Sequence, residues 1–291
     1  MYRAGVTRTL KPLPNTSQTE TAIESKLGSL RSRGQGALIA FLTGGDPDGK
    51  SFLDNATALV DGGADILEVG IPFSDPIADG PVIQGSSQRA LLSGATPRGV
   101  LGLIKEISLA RSVPIVVLTY YNLVLATGLE RFLKTAQRSG VGGLVIPDLP
   151  VEESDSFRKT SSKHHIDTIF LAGPNTSPTR MRQIIEKSHG FVYMVSLFGV
   201  TGPRRELDPV ALHSVKRVKA LAKGRIPIAA GFGISRPEHV AEIIAAGADG
   251  AIVGSALVEI VAHNLEDRER TRVKLKDAVS DLKKATNPSL V

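Results

Sequence analysis

Eight short apolar runs, each followed by a segment of helical character, recur along residues 37–255. They read ALIAFLT (37–43), DILEVG (65–70), PIVVLTY (114–120), GLVIPD (143–148), DTIFLA (167–172), FVYMVS (191–196), IPIAAG (226–231) and GAIVGS (250–255). The runs are continuously apolar rather than alternating, as expected of parallel strands covered on both faces. Helix starts lie between them. Thr96-Pro97, Ser177-Pro178 and Asp208-Pro209 each read as an N-cap followed by proline at the first helical position. Ser235 and Glu238 read as a capping box, and Gly62-Gly63 and Gly247 as helix ends. Eight strand–helix units in roughly 250 residues predict an α/β chain folded as a single-domain (β/α)8 TIM barrel. Extra helical pattern follows the second run and fills the C-terminus. An open doubly wound sheet would have fewer strands and a dinucleotide fingerprint after the first.

The barrel domain is expected over residues 22–291. Residues 1–21 are polar, with Arg3, Arg8 and Lys11 ahead of the first acid, and read as a disordered tail. The tail lacks the apolar core of a signal peptide, and a cytoplasmic protein is expected, with organelle targeting as the open alternative. No apolar run approaches the roughly 20 residues of a membrane span. There is no cysteine, hence no disulfide or thiolate chemistry. The net charge is +6, but aromatic residues are only 4% of the chain, so stacking platforms for nucleic acid are scarce. The basic bias suits phosphorylated substrates better.

In a barrel of this kind chemistry sits at the C-terminal ends of the strands. GGDPDGKS (44–51) matches a phosphate-loop pattern after the first run. Asp46 and Asp48 would put negative charge in the cradle and Pro47 removes a donor, so a turn into a helix is the better reading. Better phosphate signals are GFGIS (231–235), VGSALV (253–258) and GVTG (199–202), at adjacent strand ends. The six histidines fall on helical or loop segments without ligand spacing, so no metal site is expected. No Ser-His-Asp set can be placed at strand ends.

Carboxylates remain. On the second run Ile66, Glu68 and Gly70 share one face and Leu67 and Val69 the other. Leu67 and Val69 suit the layer under the helices, so Glu68 points into the barrel. None of the eight runs contains Lys or Arg, so Glu68 is expected to be buried without a cation and to have a raised pKa. The next loop holds Asp75 and Asp79, stiffened by Pro72, Pro76 and Pro81. A rigid loop can hold Asp79 over the barrel mouth facing Glu68, and carboxylates in different environments can serve as separate acid and base.

Several stretches, in this order, resemble the tryptophan synthase α-subunit family from about residue 25 onward: FLTGGDPD, LEVGIPFSDPIADGPVIQ, YYNLV, IPDLPVEES, GVTG, GFGIS and VGSALV. The resemblance implies a lyase of tryptophan biosynthesis. It would cleave indole-3-glycerol phosphate to indole and glyceraldehyde 3-phosphate by a retro-aldol reaction. It also implies that Glu68 protonates the indole C3, that Asp79 accepts the indole N–H, and that Tyr193 lies near both. Phe41 and Phe232 would line the pocket, and Gly202, Gly233, Gly254 and Ser255 would hold the phosphate. Thr201 would sit in the loop that closes over the site and contacts Asp79. Asp75 would face a β subunit, whose pyridoxal phosphate site receives indole through a tunnel in an αββα tetramer. This chain itself would need no cofactor. Leu197 and Phe198 depart from the polar residue of many family members, which implies altered lid contacts. A stand-alone indole-glycerol-phosphate lyase would share these motifs.

Overall fold

The computed structural model describes residues 20–196 and 207–287. Among these, nine parallel strands form one sheet: β1 (Ala37–Thr43), β2 (Ile66–Gly70), β3 (Ile115–Leu118), β4 (Val141–Val145), β5 (Asp167–Ile169), β6 (Leu171–Ala172), β7 (Val192–Val195), β8 (Ile228–Gly231) and β9 (Gly250–Val253). Their order is β5-β4-β3-β2-β1-β9-β8-β7-β6. The extra strand comes from one expected run, 167–172, which divides at Phe170. Its first half pairs with β4 and its second with β7. The Phe170 carbonyl between them accepts from the Tyr193 N–H at 3.0 Å. One segment thus serves both neighbours at staggered heights, as the tilt of barrel strands requires, and the sheet closes.

Helices surround this ring. They include α2 (Gly49–Asp61), α3 (Pro81–Leu92), α4 (Pro97–Ala110), α5 (Tyr121–Thr127), α6 (Leu129–Arg138), α7 (Asp155–Lys163), α8 (Pro178–Lys187), α9 (Pro209–Ala222), α10 (Pro237–Ala245), α11 (Ser255–Ala262) and α12 (Arg268–Lys284). Two helices between β2 and β3 and the long α12 account for the extra helical pattern. The expected caps of α4, α8 and α9 form: Thr96, Ser177 and Asp208 accept from the backbone N–H of Gly99, Arg180 and Val210 at 3.1, 3.3 and 2.9 Å. The expected capping box of Ser235 and Glu238 does not. Pro237 occupies the first position of α10, which makes Arg236 the N-cap, and no side chain caps it. Ser235 lies one residue too early, and its N–H donates to His239 Nδ1 at 3.4 Å.

The stretch 44–51 is a turn into a helix. Asp48 caps α2 by accepting from the N–H groups of Lys50 and Ser51, each at 2.9 Å. Asp46 takes a two-pronged ion pair from Arg89, both contacts at 2.8 Å. The Lys50 and Ser51 N–H groups, which a phosphate cradle would need, are thus occupied by Asp48.

The interior has two layers. Ile66 packs inside the barrel with Ala37, Ile39, Val116, Val145 and Ile252, whereas Leu67 and Val69 pack outward under the helices. The inner layer is completed by α1 (Ala22–Ser32), which contributes Ile23, Leu27 and Leu30 from a single face. Its N-cap is Thr21, in a capping box with Glu24, and the Thr21 hydroxyl donates to Asp167 Oδ2 at 2.7 Å. Gly142, Thr21 and Asp167 share one recess at the N-terminal ends of β4 and β5, so α1 closes the end opposite the strand C-termini. Residues 1–19 of the expected tail lie outside the described residues. No helix among the described residues is long and apolar enough to cross a membrane.

Candidate active site

Strand alternation turns the side chain of Glu68 inward, directly above the apolar layer of Ile66. It is 1% exposed, beside Phe41 on β1 and Val116 on β3. Among the described residues its side chain has one hydrogen bond, and that is long: the Tyr193 hydroxyl on β7 donates to Oε2 at 3.4 Å. Oε1 is buried with no partner among the described residues. Desolvation pushes the carboxyl up to about 8, with the negative charge of Asp79 adding to the effect.

Asp79 reaches the same region from the stiff loop between β2 and α3. Its Oδ2 accepts from the Tyr120 hydroxyl at 3.0 Å, and the same hydroxyl accepts from the Ala78 N–H at 3.0 Å. Burial raises Asp79 to about 6, and the Tyr120 bond opposes that rise. Both carboxyl groups are thus raised, and Glu68, the more deeply buried, holds its proton more firmly than Asp79.

A cleft opens here at the strand C-termini. Its walls include Phe41, Asp79, Tyr193, Gly233, Gly254 and Ser255. Glu68 is buried and is not a wall residue, but its hydrogen-bond partner Tyr193 is. The Phe41 ring lies over Gly70, where an added Cβ would stand 2.8 Å from Phe41 Cζ. Glycine at position 70 thus lets an aromatic floor lie beside Glu68. Gly233 has φ +73°, and Gly254 is the N-cap of α11, with Ser255 its first residue. Free N–H groups of a helix start therefore border the cleft on the side of Gly233.

Six of the expected residues, Phe41, Asp79, Tyr193, Gly233, Gly254 and Ser255, thus surround one space, with Glu68 against it. Phe232 does not join them. It is buried, just past the end of β8, and is not among the residues of the cleft wall. Thr201 and Gly202, with Leu197 and Phe198, lie outside the described residues. Asp75 is exposed on the loop, with Ser74 Oγ donating to its Oδ2 at 2.5 Å. Nearby Ile77 is 79% exposed. Among the described residues, no group of three or more His, Cys, Asp or Glu is placed to hold a metal ion.

The expectations from sequence passed over Tyr120, Leu118 and Leu171. Leu118 and Leu171 supply apolar wall. Tyr120 was within reach of the strand-end rule, since it closes the third run and begins YYNLV.

Comparison with known proteins gives the family. A family model described as tryptophan synthase alpha chain matches residues 27–287. The tryptophan synthase alpha chain of Methanoregula boonei is 47% identical over 253 residues, 87% of this chain and 95% of that protein. The alpha chain of Arabidopsis thaliana is 38% identical over 273 residues, 94% of this chain and 98% of that protein. Among solved structures, Mycobacterium tuberculosis tryptophan synthase matches with a TM-score of 0.83 at 36% identity, covering 92% of this chain and 99% of that chain. A tryptophan synthase complex from Pyrococcus furiosus matches with a TM-score of 0.79 at 42% identity, covering 85% and 98%. The barrel fold and a match along nearly its whole length make this chain a member of the tryptophan synthase alpha chain family, lyases that cleave indole-3-glycerol phosphate in tryptophan biosynthesis.

Proposed function

We propose that Glu68 is the general acid–base and Asp79 the ring acceptor in cleavage of indole-3-glycerol phosphate by this chain. The observation that carries the assignment is the meeting of two carboxyl groups in unlike surroundings at one cleft, Glu68 1% exposed with one long contact to Tyr193 and Asp79 held by the Tyr120 hydroxyl at 3.0 Å. At neutral pH one holds a proton to give and the other a charge to offer. Glu68 leaves its weak contact with Tyr193 and delivers its proton to the indole C3. Positive charge then develops on the ring and its N–H, where the Asp79 carboxylate stabilises it. The Glu68 carboxylate next takes the proton of the hydroxyl on the adjacent glycerol carbon. The bond from C3 to that carbon breaks, its electron pair returns to the ring, and indole and glyceraldehyde 3-phosphate leave. Glu68 ends protonated, ready for the next cycle.

Backbone N–H groups around Gly233, Gly254 and Ser255 bind the phosphate, and Phe41 and Tyr193 pack against the ring. Thr201 and Gly202 are assigned to the same substrate by the family motif alone. No step of this scheme calls on a metal or a cofactor in this chain. The test is direct: the purified chain is incubated with indole-3-glycerol phosphate and indole release is followed, with and without a β subunit. Indole should appear in both. None in either would overturn the reading.

The likeness to a tryptophan synthase complex supports a β-subunit partner, and we place it in an αββα tetramer with pyridoxal phosphate on the β side. Asp75 and the exposed Ile77 lie on the loop that also holds Asp79, so a partner there can act on the site through a stiff connection. Asp75→Ala is expected to lower β-stimulated indole release by several-fold more than basal release. Equal losses in the two assays would remove Asp75 from the interface.

A further inference from the structure

Tyr120 stands where β3 ends and α5 begins, and the scheme above gives it no task. Its ring is 2% exposed and tilted against Phe73, with centroids 5.0 Å apart. Its hydroxyl makes two hydrogen bonds whose direction is fixed by chemistry. The Ala78 N–H can only donate, so the phenol oxygen accepts from it at 3.0 Å. The single phenol proton is left for Asp79 Oδ2, at 3.0 Å. Burial and the neighbouring Asp79 charge both hold that proton more firmly than in an ordinary tyrosine. Asp79 Oδ1 makes no hydrogen bond among the described residues, and Asp79 is part of the cleft wall.

We propose that Tyr120 is a positioning residue for ring recognition: it clamps Oδ2 of Asp79 and the Ala78 amide together and so presents Oδ1 to the N–H of the substrate ring. The proposal rests on the assignment of Asp79 as ring acceptor. The rigid β3 end, not the loop alone, then sets where the acceptor stands. A second consequence concerns ionisation. Asp79 is approached by Glu68 from β2, by Tyr193 from β7 and by Tyr120 from the end of β3, with Asp148 beyond Tyr120 after β4. Asp75 shares its loop. No Lys, Arg or His is in the cleft wall among the described residues. Tyr120 is thus the group that stabilises the Asp79 carboxylate against burial.

The test compares kcat/KM for indole-3-glycerol phosphate across pH in the parent, Tyr120→Phe, Asp79→Asn and the double variant. The acid limb of this profile reports Asp79 in the free protein. Without the phenol donor Asp79 must hold its proton more tightly, so in Tyr120→Phe the limb moves to higher pH. On the acid side kcat/KM falls about tenfold, the size expected for one hydrogen bond to an ionised group. In the Asp79→Asn background the same change should cost nothing further, because the group it acts through is gone. Replacing Tyr120 with a ring-fluorinated tyrosine keeps its shape, strengthens its donor and should move the limb to lower pH. This arm decides the matter if Tyr120→Phe fails to fold. A Tyr120→Phe profile that overlays the parent, or an equal loss in both backgrounds, would overturn the proposal and leave Tyr120 as packing alone. Parental kinetics for Asp79→Asn by itself would overturn the ring-acceptor reading underneath it.

Discussion

Glu68→Gln should lower kcat for indole release by about 10²–10⁴-fold, the usual worth of a general acid–base. Glutamine preserves the size of the side chain and can take the hydrogen bond from Tyr193, but it cannot deliver and recover a proton. KM should hardly change, because the phosphate and ring contacts remain. Stability should change in the opposite sense to activity. The carboxyl has a folded-state pKa of about 8 against an ordinary 4.5, so between these values the folded chain holds a proton that the unfolded chain has lost. Stability of the parent therefore falls as pH rises through that window, and the Gln variant lacks this loss. Thermal unfolding should show the variant gaining on the parent from about pH 5 to pH 8, the window bounded by the two pKa values. A folded variant with near-parental kcat would reduce Glu68 to a core residue.

Gly233→Val is expected to impair phosphate binding severely. Gly233 has φ +73°, in the left-handed region that a β-branched residue enters only with strain. Gly233 also lines the same cleft as Gly254 and Ser255, the proposed phosphate site, so a larger side chain there crowds the anion. Strain of about 1–3 kcal/mol, added to disturbed N–H contacts, should raise KM at least tenfold and weaken glycerol phosphate binding alike. A substrate analogue without the phosphate isolates the effect. On it, parent and variant should differ little. Parental affinity of the folded variant for glycerol phosphate would move the phosphate site elsewhere.

The period of the fold could be read because parallel strands are apolar on both faces, so each run stands out without an alignment. Parity along the second run was enough to turn Glu68 inward. Parity gives no such answer for Phe232, because β8 ends at Gly231 and Gly233 at φ +73° breaks the alternation. The resemblance placed it in the pocket, and the structure does not. The proline rule that located the starts of α4, α8 and α9 likewise makes Arg236, not Ser235, the N-cap of α10. Other features depend on tertiary contacts that sequence does not display. Ile23, Leu27 and Leu30 have helical spacing, but nothing local says that this face caps the barrel floor. The division of run 167–172 follows from strand stagger around a closed ring, a property of the whole sheet. Tyr120 carries neither the charge nor the glycine that marks a functional strand end, and a buried phenol gains its role from the carboxylate it meets 41 positions away.

The proposed chemistry turns on one quantity, the ionisation of Glu68 inside an apolar barrel. Infrared difference spectra of the parent against Glu68→Gln, recorded across pH, isolate the protonated carboxyl stretch of this one residue. The band should persist at pH 7 and vanish around pH 8, where burial places the titration. A band already lost near the ordinary value of 4.5 would mean an ionised Glu68 at neutral pH, with no proton to give to the indole carbon.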